Sequence, residues 1–133
     1  MYPHERSLVR VLAGKPFAII GVNSDSDVST PQALTEDGTV TWRSFQNGSG
    51  DTRISENWGI IGWPTIILID QDGVIRHVNV RGEKIDTAIK EMLEAMGEEW
   101  PDIDMAEEIA KEKKNDAEDE EQDDESSDEK SDK

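Results

Sequence analysis

Apolar and polar positions follow two different periods along the first 97 residues, and beyond them the patterning stops. Leu8, Val9, Val11 and Leu12 recur at a spacing close to i, i+3, i+4, which predicts a helix over residues 4–13, with Gly14 as its stop and Pro16 beyond. The nearly all-apolar run Phe17-Ala18-Ile19-Ile20-Gly21-Val22 suits a strand buried on both faces of a parallel sheet, closed by a turn at Asn23–Asp27. A short helix is predicted from Ser29-Thr30-Pro31, where a capping hydroxyl precedes a proline at the first helical position. Thr39 to Phe45 alternates β-branched and aromatic residues and reads as extended. The loop Gln46–Asp51 separates it from one or two helical turns at Ile54–Trp58.

The second half of the patterned region is a hairpin followed by a helix. Ile66-Ile67-Leu68-Ile69 and Val74 to Val80 flank the turn signal Asp70-Gln71-Asp72-Gly73. Pro64 stands where the first of these strands opens, a place where a missing N–H costs no ladder hydrogen bond. Ile85, Ala88, Ile89, Met92, Leu93 and Met96 form one apolar helical stripe, and Gly97 is its C-cap. The order α-β-α-(β)-α-β-β-α combines a parallel crossover with a terminal hairpin and defines an α/β class.

Charge divides the chain at the same point. Residues 98–133 hold 18 acidic and 5 basic side chains, a net −13 out of −17, so residues 1–97 carry only −4. Two regions are therefore expected: a folded domain over 1–97 and an acidic tail over 98–133. The tail has too little apolar surface to offset ~1–2 kcal/mol of backbone entropy per residue, so most of it is expected to be disordered. Asp104–Lys111 is expected to form at most a marginal helix.

The chain contains no cysteine, which excludes disulfides, thiolate–metal sites and thiol chemistry. Acidity argues against nucleic acid, since phosphate neutralisation needs clustered Lys and Arg. A basic partner for the tail and divalent cations stay open. The longest apolar stretches are four or five residues, too short to span a bilayer, and Met1-Tyr2-Pro3-His4-Glu5-Arg6 has no signal-peptide pattern. As written the chain is expected in the cytoplasm; an upstream signal peptide would place it outside.

Phe17 to Asp25, Trp58 to Asp70 with its Gly-Trp-Pro-Thr core, Asp72-Gly73-Val74-Ile75 and the closing helix together resemble the thioredoxin-like redoxins. The similarity is to the periplasmic thiol–disulfide oxidoreductases and the alkyl hydroperoxide reductase/TSA-type domains. It implies a thioredoxin-like three-layer sandwich. In that family a Trp-Cys-x-x-Cys motif ends the first core strand and runs into a helix, and Tyr2-Pro3-His4-Glu5-Arg6 looks like the middle of that helix. The resemblance thus implies an N-terminally truncated domain that lacks the first strand. That strand lies at the centre of the family's sheet, between the strands at Phe17–Val22 and Ile66–Ile69. Its absence would leave open edges, and unpaired buried backbone groups cost roughly 1–3 kcal/mol each.

By the same resemblance Pro64 is a cis-proline, and Trp63, Pro64 and Thr65 form the substrate-binding surface; no catalytic residue, metal ligand or cofactor is assigned. Trp58 is expected in the core and Trp63 partly exposed, while Thr65 and Asp70 read as strand-end residues. His4 and His77 lack a second ligand or nucleophile at useful spacing. Asp25 and Asp27 suggest calcium coordination only superficially, because the glycine and distal glutamate of such a loop are missing. Gly48-Ser49-Gly50 is no phosphate loop, and Asn47-Gly48-Ser49 matches a glycosylation acceptor. The expected function is a redoxin domain that is inactive as given. The alternative is a non-catalytic module that holds extended peptides or proteins at Trp63-Pro64-Thr65 by backbone pairing.

Overall fold

The computed structural model describes residues 2–25 and 27–131, with side chains described as far as residue 118. Its elements are α1 (Tyr2–Val11), β1 (Ile20–Asn23), α2 (Ser29–Glu36), β2 (Arg43–Gln46), α3 (Ile54–Asn57), β3 (Ile67–Ile69), β4 (Ile75–Val78), α4 (Glu83–Ala95) and α5 (Met105–Ser131). The described residues are mixed α/β with five α-helices and two small sheets. β1 and β2 pair in parallel, Ile20 with Arg43 through Asn23 with Gln46. β3 and β4 pair antiparallel, with an irregularity between Leu68 and Ile69.

The core forms where the two predicted apolar stripes meet. Leu8 and Leu12 from α1 and its last turn pack with Ile85, Ile89 and Leu93 of α4, and Phe17, Ile66, Leu68 and Val80 cover the cluster. Side chains alternate along a strand. Ile66 and Leu68 turn toward this core, so Ile67 turns away from it. The turn that follows α1 contains Gly14 (φ +84°), and α4 ends where Gly97 (φ +81°) lets its own N–H and that of Glu98 bond back to the Glu94 and Leu93 carbonyls.

Three local expectations are corrected. The strand expected over Phe17–Val22 is only Ile20–Asn23, and Ile20 is 65% exposed rather than buried on both faces. The reason is topological: β1 has a neighbour on one flank only, so the apolar run has no partner for its length. No capping hydroxyl stands just before Pro31, because α2 already begins at Ser29. The helix follows Val28, and the Asp27 carboxylate accepts the Ser29 N–H and hydroxyl at 2.9 and 2.6 Å. Trp58 is half-exposed at the end of α3 instead of buried, because the four-residue helix stops at Asn57 and Gly59 (φ +66°) turns the chain away.

The tail departs from expectation in its first half. Trp100 and Met105 pack on the core, and α5 starts at Met105 and lies along α1. What the acidic composition concealed is a set of partners on α1. Arg6 places Nη2 2.8 Å from both Asp116 carboxylate oxygens and Nε 3.1 Å from Glu112. Arg10 reaches Glu108 at 2.7 Å and Glu112 at 3.0 Å. Each contact falls one turn further along α5, at residues 108, 112 and 116, so the helical period itself lines up the carboxylates. The Arg6 Nη1 also donates to the Thr39 carbonyl at 3.0 Å, tying the loop before β2 to the same clamp.

Gly21 marks the tightest approach inside the β1–β2 pair. A Cβ there would stand 2.7 Å from Ser44 Oγ and 3.1 Å from Trp42 Nε1. A rotated Ser44 could admit alanine, but a branched side chain would push Trp42 aside. Gly21→Val is therefore expected to lower the unfolding free energy by about 1–3 kcal/mol, read from urea titration, with Gly21→Ala distinctly milder.

Candidate functional site

A cleft of about 530 Å³ lies between the two sheets. All of β1 lines it, as does the stretch Trp63 to Leu68, whereas β2 contributes only Ser44 and β4 contributes nothing. The free flank of β1 and the free flank of β3 thus face each other across this space. Leu8, Ile85 and Ile89 form one wall from the α1–α4 core, and Pro31, Leu34, Val40 and Trp42 contribute from the α2 region. Tyr2 and Trp42 stand with ring centroids 6.0 Å apart in a tilted arrangement. Apolar side chains dominate the lining, which contains no lysine or arginine.

The three residues expected to form a binding surface sit together at this cleft. Trp63, Pro64 and Thr65 all line it, just before β3. Trp63 is 53% exposed, and the Trp63–Pro64 peptide is cis. The Thr65 hydroxyl donates to the Gly62 carbonyl at 2.6 Å, and Arg81 donates to the Pro64 carbonyl. These bonds make the approach to β3 a defined turn and leave the Trp63 ring to solvent. Ile61, two residues before Trp63, is fully exposed.

Asp70 is the strand-end residue its sequence suggests, with an additional task. Its Oδ1 accepts the Asp72 and Val74 N–H groups at 2.9 and 3.0 Å, and its Oδ2 meets Arg76 Nε. These donors, the Val74 N–H foremost and then Arg76, hold the carboxyl below the usual carboxylate range. Gly73 (φ +81°) completes the hairpin turn.

Sequence reasoning missed one polar pair. His4 Nε2 lies 2.6 Å from Asp86 Oδ1, joining α1 to the first turn of α4 across 82 residues of chain, and both side chains are largely buried. No spacing rule reveals such a pair, since it depends on how two helices dock. The Asp86 hydrogen bond raises the His4 pKa above the ordinary imidazole value, more than burial lowers it. Beside it, burial pushes the Glu5 carboxyl up, and Glu5 Oε2 is buried with no hydrogen-bond partner among the described residues. Both groups bind protons more tightly in the folded state. Their stabilisation is full below the unfolded-state pKa values and is lost as pH rises through the folded-state ones. Wild-type protein should thus lose stability between about pH 6 and pH 9 through His4. His4→Gln is expected to shrink that difference in urea midpoint, and an unchanged pH difference would refute the pairing.

Among the described residues no group of three or more His, Asp or Glu side chains could hold a metal ion. Asp27 accepts from Ser29, Asp25 is exposed with its N–H donating to Asn23 Oδ1, and the His77 side chain has no hydrogen-bond partner among the described residues. No helix among the described residues is long and apolar enough to cross a membrane. The site therefore offers an apolar cleft, two open backbone edges and an aromatic lip, in a chain without cysteine. Comparison with family models, with curated proteins and with solved structures returned no match.

Proposed function

We propose that the chain is a thioredoxin-like redoxin scaffold, of the kind found in thiol–disulfide oxidoreductases and antioxidant enzymes, that carries the substrate-binding side of the site and no reactive cysteine. The observation that carries this reading is the cleft between β1 and β3, with Trp63, Pro64 and Thr65 at its lip. In the redoxin order one further strand belongs between the strands equivalent to β1 and β3, and the layout of two separate two-stranded sheets supports that reading. Thiol–disulfide exchange and peroxide reduction both need a low-pKa cysteine, and the chain has none.

The activity left to such a scaffold is binding. Backbone pairing along an open strand edge holds extended peptides irrespective of most side chains, and a half-exposed tryptophan next to that edge adds apolar contact. Purified protein is expected to reduce neither insulin disulfides nor peroxide and to bind unfolded, extended polypeptide. Trp63→Ala should weaken that binding several-fold while the far-UV circular dichroism is unchanged. Turnover in either assay, or binding indifferent to Trp63→Ala, would overturn the reading.

A further inference from the structure

We propose that Asn47 and Gly48 form a self-modifying site: the Gly48 nitrogen closes onto the Asn47 side chain to give a succinimide, and the two hydrogen bonds between the Asn47 amide and Ser55 set how often it does so.

The chemistry needs only the chain and water. The Gly48 nitrogen attacks Asn47 Cγ, the new C–N bond closes a five-membered ring, and the Cγ–Nδ2 bond breaks as ammonia leaves with the Gly48 proton. Water then opens the ring at one of its two carbonyls. Opening at Cγ gives aspartate; opening at the backbone carbonyl gives isoaspartate, in which the main chain runs through Cβ and Cγ. One water enters, one ammonia departs, and nothing is oxidised or reduced.

The fold provides an accessible attacking nitrogen. Asn47–Gly48 is the only Asn-Gly step in the chain. A side chain on the residue after asparagine would crowd this nitrogen, and here the loop itself requires glycine: Gly48 has φ +90°, and a Cβ would stand 3.1 Å from the Thr52 carbonyl oxygen. Gly48 is exposed, and its N–H donates to no group among the described residues. No backbone hydrogen bond has to break before the nitrogen reacts.

The fold also restrains the group under attack. Asn47 follows β2 directly and is half-buried; its Oδ1 accepts the Ser55 N–H at 2.9 Å, and its Nδ2 donates to Ser55 Oγ at 2.9 Å. Its main chain is held on both sides, the N–H donating to the Asn23 carbonyl at 2.9 Å and the carbonyl accepting from the Ile54 N–H at 3.0 Å. Ring closure turns χ1 out of a staggered well and draws Cγ onto the Gly48 nitrogen, away from Ser55. Ser55 is 9% exposed, so little water stands ready to replace the lost bonds. The site therefore reacts from conformers in which the Asn47–Ser55 latch is open, a local opening that does not require the core to unfold. Aspartate re-forms the latch, since a carboxylate accepts both the Ser55 N–H and its hydroxyl. Isoaspartate adds one backbone atom between the bonds to Asn23 and Ile54 and takes the segment out of register.

The test follows the full-length chain at neutral pH by peptide mapping, reading the mass gain of amide-to-acid exchange in residues 44–53. Asp37 and Asp72 also precede glycine, but their isomerisation leaves the mass unchanged. The reference is the synthetic peptide Phe-Gln-Asn-Gly-Ser-Gly, residues 45–50, which has no latch. Wild-type protein is expected to convert at Asn47, more slowly than the peptide by a factor that matches the hydrogen-exchange protection of the Ser55 N–H, because one opening frees both groups. Ser55→Ala, which removes the hydroxyl arm, should speed conversion about three- to tenfold. Ile89→Val, which weakens the core without touching the loop, should leave the rate within about twofold of wild type. Conversion as fast as in the peptide, or none in either wild type or Ser55→Ala, would overturn the proposal. So would equal rates in wild type and Ser55→Ala, or an acceleration by Ile89→Val as large as that by Ser55→Ala, which would route the reaction through global unfolding. A slowing that departs from the Ser55 protection by more than about tenfold also overturns it, and this comparison decides the matter without a variant if Ser55→Ala does not fold.

Discussion

Leu12→Ala is expected to cost about 3–5 kcal/mol of unfolding free energy, measured by urea titration, enough to leave a domain of this size marginally folded. Leu12 is 1% exposed and lies in the closed part of the α1–α4 cluster, away from the cleft. Its deletion leaves a void among Leu8, Ile85, Ile89 and Leu93. The control is Leu8→Ala, one turn earlier on the same stripe. Leu8 is equally buried, at 2%, but borders the cleft, so water or a shifting wall can fill the space. Its cost should sit nearer the lower end, about 2–3 kcal/mol. Equal costs at the two positions would show that the cleft is closed in solution.

Arg6→Ala is expected to release α5 from α1 and to destabilise the protein by about 2–3 kcal/mol. Arg6 is only 6% exposed, yet its guanidinium makes four bonds: two to Asp116, one to Glu112 and one to the Thr39 carbonyl. Removing it leaves the Thr39 carbonyl without its donor, leaves Glu112 with Arg10 alone and deprives the acidic helix of its main cationic neighbour. The loss is held below that of a fully buried ion pair because Asp116 is itself 45% exposed. Loss of helical ellipticity and faster exchange across residues 105–118 are the direct readouts. Arg6→Lys should recover little, since an ammonium keeps the charge but cannot reproduce the planar fork. If Arg6→Ala leaves residues 105–118 protected, the clamp is not what orders α5. Salt should weaken the more exposed Arg10 pairs before it weakens Arg6.

Much of the architecture was legible in local pattern. The α1 and α4 stripes were marked by apolar residues three and four apart, and the hairpin by an Asp-x-x-Gly turn between two apolar runs. Both signals are enforced by near neighbours: a helix stripe by the 3.6-residue turn, a hairpin by the φ that Gly73 alone supplies at low cost. The family resemblance, not local pattern, pointed to Trp63, Pro64 and Thr65, and the three line the cleft together. Local pattern misplaced Trp58, since burial of an aromatic depends on whether another layer covers it. It also gave Phe17–Val22 a full strand, because an apolar run announces a strand without saying how many partners it has.

The tail shows the same boundary from the polar side. Composition leads one to expect disorder over most of residues 98–133, yet composition counts only what a segment can do alone. Glu108, Glu112 and Asp116 are ordinary members of an acidic run until Arg6 and Arg10 are set opposite them.

Helix stripes, turn positions, the acidic shift in composition after residue 97 and the lack of cysteine follow from residue order alone, because each is decided within a few residues or by inventory. The His4–Asp86 pair, the docking of α5, the length of β1 and the cleft between β1 and β3 depend on groups 40 to more than 100 residues apart. Such contacts carry no periodic trace in the chain, because the loop-closure entropy that opposes them is overcome only when the whole core packs.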